Sequence, residues 1–193
     1  MSVARKGRGH PVTVFAPGHG RAVEVTEDWV RGLVPGTKLF FEYERSGHFE
    51  RTGEIRRKAD RDAFEVCAVA EEGRATRAVG FSRGARAVVG ALVRDPGCFE
   101  RVVLVWPPGG WAAGDYVAWV GHEKVVPERV VQPGAEVLVV AQPIDRDHSL
   151  KIAEQWAWAL GARLEVFPAD GLLWKAHRDR FKAVLSSFLN GSS

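Results

Sequence analysis

Apolar residues follow two rhythms along this 193-residue chain. Solid apolar runs of strand length occupy 11–18 (PVTVFAPG), 37–44 (TKLFFEYE), 76–82 (TRAVGFS), 101–106 (RVVLVW), 136–142 (EVLVVAQ) and 163–168 (RLEVFP). Between them, apolar residues recur at the three-and-four spacing of an amphipathic helix. This second rhythm predicts helices over 24–33, 58–73, 83–97, 149–160 and 178–189. In the third, Ala85, Val88, Val89 and Leu92 share one face; in the last, Phe181, Val184, Leu185 and Phe188 do. Gly73 stops the second helix, and Pro96 with Gly97 closes the third.

Strands that are apolar without alternation are buried on both faces, as in a parallel sheet covered by helices. Strand and helix taking turns builds right-handed βαβ units. The expected fold class is therefore α/β: a doubly wound, mainly parallel sheet of about six strands, helices on both faces, in a single domain spanning 1–193. Ligands of such sheets bind beyond the carboxyl ends of the strands. The segment 107–134 breaks the rhythm, being rich in Pro and Gly yet carrying Trp111, Tyr116, Trp119 and His122. It reads either as a minimal lid or as a short crossover helix packed on the sheet.

Composition narrows the partners. Hydrophobic residues make up 46% and charged residues 26%, with a formal net charge of +3, an ordinary globular balance. That small excess is interleaved with acids and forms no basic stripe, which argues against nucleic acid. Two cysteines, Cys67 and Cys98, make no disulfide framework and fit a reducing compartment. The basic start MSVARKGRGHP runs into no apolar region of the kind a secretory signal carries, and no run has the length of a membrane span. A cytoplasmic protein without membrane partners is expected; the oligomeric state stays open.

Candidate chemistry sits at the strand ends. Gly80-Phe81-Ser82-Arg83-Gly84 reads G-x-S-x-G between a strand and a helix. A serine there is either an exposed nucleophile or an ordinary helix N-cap. The first strand is followed by His19-Gly20-Arg21, a glycine turn whose N–H groups are able to face the crevice. The strand over 136–142 is followed by Asp145, Asp147 and His148, and the last one by Asp170 and His177. Serine, then acid, then histidine is the chain order of an α/β-hydrolase triad.

On the GHG at 18–20, the GFSRG at 80–84 and the stretch VLVVAQPIDRDHSLKIAEQWAWAL, the chain resembles the α/β-hydrolase superfamily from about Pro11 to Leu189. It looks like a small, lid-poor member whose two opening antiparallel strands are missing. The resemblance implies a serine hydrolase of esterase or thioesterase type, acting on a small-molecule acyl substrate that is free or carrier-bound, with neither cofactor nor metal. It implies Ser82 as nucleophile, Asp145 as the acid (with Asp147 as its alternative), and an oxyanion hole from Arg83 and Gly20 or Arg21. It also implies Trp111, Tyr116 and Trp119 as substrate-facing aromatics. One position departs: where the superfamily carries Gly-His after the last strand, this chain has Gly171-Leu172. His177 is then the first candidate for the base, followed by His148, expected rather to border a helix, and by His122. The side chains of Arg21 and Arg83 either hold a substrate anion or reach solvent. An acyltransferase using the same acyl-serine, or a non-catalytic small-molecule binding protein lacking the histidine, are the alternatives.

Overall fold

The computed structural model describes residues 3–18, 23–32, 34–43, 52–108, 134–144, 146 and 148–191, without the side chains of Val25 and of residues 52–60. These residues form strands β1 (Val3–Lys6), β2 (Val12–Ala16), β3 (Thr37–Phe41), β4 (Arg77–Phe81), β5 (Arg101–Val105), β6 (Glu136–Ala141) and β7 (Arg163–Val166). Five helices accompany them among the described residues: α1 (Val23–Val30), α2 (Thr52–Gly73), α3 (Arg83–Arg94), α4 (Leu150–Leu160) and α5 (Arg178–Asn190). The strands make one sheet in the order β1-β3-β2-β4-β5-β6-β7. Every neighbouring pair from β3 to β7 is parallel.

The solid apolar runs become central strands because both their faces are covered. Val12, Val14, Leu39, Ala78, Val102, Leu104, Val137 and Val139 pack against α2, α3 and α4. Phe15, Phe40, Val79, Phe81, Val103, Val105, Leu138 and Val140 face α1 and α5 on the other side. The chain winds from β2 to β3, then crosses back so that β4 lies on β2's other side. The crevice at such a reversal opens between the carboxyl ends of β2 and β4, where Ser82 stands.

Two expectations need correcting. The sheet has seven strands rather than six, because β1 pairs antiparallel with β3, Val3 opposite Phe41 and Lys6 opposite Lys38. An opening antiparallel strand is therefore present; VARK is a largely exposed edge, so it carries no apolar run to betray it. Helix α2 starts at Thr52, six residues before the expected Lys58, since residues 52–57 hold a glycine and two arginines that dilute the pattern. Apart from its ends, the expected lid over 107–134 lies outside the described residues. Among the described residues, no helix is long and apolar enough to cross a membrane.

Cys67 and Cys98 are free thiols, both half-buried against the α2–α3 side of the core. Burial, and then the neighbouring Cys67 and Asp95, push the Cys98 thiol up to about 12.

Candidate active site

Ser82 joins β4 to α3 in a conformation few side chains adopt, with φ 49° and ψ −110°. A non-glycine residue at positive φ is held there by its surroundings. Its N–H donates to the Val105 carbonyl at 2.8 Å, carrying the β4–β5 ladder one residue past the strand. The flanking glycines make the bend possible. A Cβ on Gly80 would lie 2.6 Å from Ala85 Cα, and one on Gly84 would run into the Ala16 carbonyl at the end of β2. Both glycines are thus required by close backbone approach, which lets strand, turn and helix stack.

Although Ser82 is the N-cap residue of α3, its side chain makes no capping hydrogen bond. Its Oγ lies 3.0 Å from His148 Nε2 instead. Both residues are half-buried, so the pair is neither sealed in the core nor freely solvated. His148 reaches Ser82 from the link between β6 and α4. Ser149 is the cap residue of α4, so His148 borders that helix as expected while its ring meets Ser82.

The structure thus places His148, not His177, against the serine. His177 caps α5, and its Nε2 donates to Asp170 Oδ1 at 2.7 Å. The connection leading to it is pinned by fully buried Leu173 and by Trp174, stacked on Trp29 at 4.1 Å. Leu172, at the superfamily's histidine position, is 41% exposed.

Arg83 neither reaches solvent nor offers its charge to a ligand. Its Nε and Nη2 each donate to Asp62 of α2 at 2.6 Å, a bidentate pair with side chains 10% and 2% exposed. Its guanidinium carbon lies 4.2 Å from the centroid of the Tyr43 ring. What Arg83 has to give a substrate is its backbone N–H, one of the four unbonded donors in the first turn of a helix. Gly20 and Arg21, Asp145 and Asp147, and Trp111, Tyr116, Trp119 and His122 lie outside the described residues.

A second strained residue stands beside the serine. Trp106, directly after β5, has φ 51°, and its N–H continues the ladder to the Val140 carbonyl at 3.0 Å. Its ring meets Trp29 edge-on at 6.1 Å and Trp174 at 4.9 Å, with Phe81 against Trp29 at 5.5 Å. These aromatics were not singled out by sequence, because each belongs to a different element; only a tryptophan at a strand's carboxyl end was there to be noticed.

No protein-family model matches the chain, and no curated protein matches its sequence. Solved structures do match in shape. One is a putative non-heme bromoperoxidase from Mycobacterium tuberculosis H37Rv, with a TM-score of 0.70 and 16% identity over 100% of this chain and 96% of the other. Another is a mutant of the meta-cleavage product hydrolase from Pseudomonas fluorescens IP01, with a TM-score of 0.67 and 14% identity over 99% and 94%. A third is an esterase from Rhodococcus sp. ECU1013, with a TM-score of 0.64 and 12% identity over 96% and 95%. Identities this low speak to architecture and leave the chemistry to the residues themselves.

Proposed function

The chain has the α/β-hydrolase fold, and on that premise we propose that it is a serine hydrolase cleaving an ester, thioester or similar acyl bond of a small molecule. The observation that carries the reading is the 3.0 Å contact between Ser82 Oγ and His148 Nε2, at a strained turn spared from helix capping.

A serine hydroxyl is a weak nucleophile until a base within hydrogen-bond reach takes its proton. Here His148 Nε2 accepts that proton as Oγ attacks the acyl carbon. The tetrahedral oxygen gathers its negative charge beside the Arg83 N–H, with Gly20 or Arg21 as the second donor. His148 then returns the proton to the departing alcohol or thiol, leaving acyl-Ser82, and water repeats the cycle in reverse. Asp145, three residues before His148, or Asp147 next to it, is assigned the task of holding the imidazole tautomer.

Two measurements test this. A fluorophosphonate probe should label the wild-type protein and not Ser82→Ala. His148→Ala should slow p-nitrophenyl acetate turnover by roughly 10²- to 10⁴-fold. Labelling that persists in Ser82→Ala refutes the nucleophile; undiminished turnover in His148→Ala refutes the base.

A further inference from the structure

The turn that carries Ser82 is strained, and a conformation of that kind persists only where its surroundings hold it. The peptide before Ser82 is secured, because its N–H donates to the Val105 carbonyl at 2.8 Å. The peptide after it joins Ser82 to Arg83 and carries the Arg83 N–H, the donor assigned to the tetrahedral oxygen. Backbone bonds hold this second peptide weakly. Its carbonyl, that of Ser82, accepts from the Arg86 N–H at 3.3 Å, beyond the ordinary range for such a bond. Its N–H is one of the first-turn donors that a helix leaves unbonded.

The side chain of Arg83 supplies a second hold. Its Nε and Nη2 donate to the two carboxylate oxygens of Asp62 at 2.6 Å each. A fork of this kind fixes the plane and direction of the guanidinium as well as its distance. The Tyr43 ring, just past β3, lies against the same group at 4.2 Å. Asp62 has a side chain only 2% exposed, and it stands on α2. Val66, Val69 and Ala70 of that helix share one core with Ala85, Val88 and Val89 of α3. The carboxylate therefore sits on a helix fixed against α3, and it grips the residue next to the nucleophile. A buried ion pair is a poor source of stability, since hydrophobic residues of similar volume often do as well. What the fork adds is orientation.

We propose that Asp62 is a positioning residue for catalysis: through its fork with Arg83 it sets the direction of the Arg83 N–H towards the tetrahedral oxygen. This rests on Ser82 being the nucleophile, and it deepens that reading by adding a residue from another helix. The guanidinium anchors its own backbone and takes no part in recognising a charged substrate. Direction matters because the donor must aim at the place where the oxyanion forms, not where the ground-state carbonyl oxygen rests. An N–H turned away from that place slows the chemical step and leaves ground-state binding as it was.

The test measures kcat and KM for p-nitrophenyl acetate in two variants, at a temperature where circular dichroism shows each to be folded. One is the double variant Asp62→Leu with Arg83→Met, which removes both charges; the other is Arg83→Lys, which keeps a cation and loses the fork. In both, kcat should fall roughly ten- to hundredfold, short of the loss of a donor outright, while KM stays within about twofold. Arg101→Met, which breaks a contact with α5 at the opposite end of the sheet, should leave kcat unchanged. A second substrate reports on the donor itself. The sulfur of p-nitrophenyl thionoacetate accepts hydrogen bonds poorly, so the oxo-to-thiono ratio of kcat/KM should drop about tenfold in both variants and hold in Arg101→Met. Wild-type kcat in either folded variant, or a loss that slows both esters alike, overturns the positioning role while fluorophosphonate labelling of Ser82 persists. If Ser82 takes no label, the hydrolase reading itself fails and the positioning role falls with it.

Discussion

Asp62 and Arg83 offer a perturbation whose size follows from the geometry. The carboxylate is 2% exposed and the guanidinium 10%, and two hydrogen bonds of 2.6 Å join them. Both charges are largely shielded from water where they stand. Asp62→Leu therefore leaves an uncompensated guanidinium in the interior, with only the Tyr43 ring for company. Breaking a buried pair in this way costs about 3–5 kcal/mol, a large part of the roughly 5–15 kcal/mol that holds a domain folded. With an m-value of about 2 kcal/mol per molar urea, the unfolding midpoint should fall by about 2 M. Arg83→Met should cost a similar amount by stranding the carboxylate. The double variant removes both charges and should recover most of the loss, since hydrophobic replacements of buried pairs are often neutral. Urea titrations followed by tryptophan fluorescence complete the cycle. Strict additivity, with the double variant losing the sum of the singles, would refute the reasoning.

Two more outcomes follow from side chains away from the serine. His177→Ala should leave p-nitrophenyl acetate turnover within about twofold, because its ring is engaged with Asp170 rather than Ser82; a drop on the scale of general-base loss would return the role to His177. Cys98 should resist iodoacetamide at pH 8 in the folded protein and react readily in urea, since burial holds its thiol near 12 and the thiolate is the reactive form. The raised value favours folding below the thiol's ordinary range near 9, and that contribution disappears as the pH climbs from there towards 12. Fast alkylation of the native protein at pH 8 would contradict the buried environment.

The features that sequence displays well are those written in local pattern. Runs such as Val102–Val105 are apolar at every position because both faces are covered, and they predict central parallel strands. Gly80 and Gly84 advertise the Ser82 bend because no other residue fits those contacts. Where partners are distant in the chain, the pattern falls silent. The sequence ranks His148 only second as the base for Ser82, 66 residues away, and nothing along it links Arg83 to Asp62, 21 residues earlier on another helix. Position after the last strand points to His177, whereas the structure delivers an imidazole to the serine one βα unit earlier.

The far end of α5 is fastened under the opposite edge of the sheet. Arg101 Nη1 donates to the Phe188 carbonyl at 2.8 Å, and Arg77 Nη1 to Asn190 Oδ1 at 3.0 Å. Both arginines open their strands, so this clasp sits a full strand length, about 16 Å, from the bend at Ser82. A tether, an antibody or a crowding neighbour that grips this corner pulls on the floor of the molecule. It would register as altered resistance to unfolding while the working edge keeps its shape.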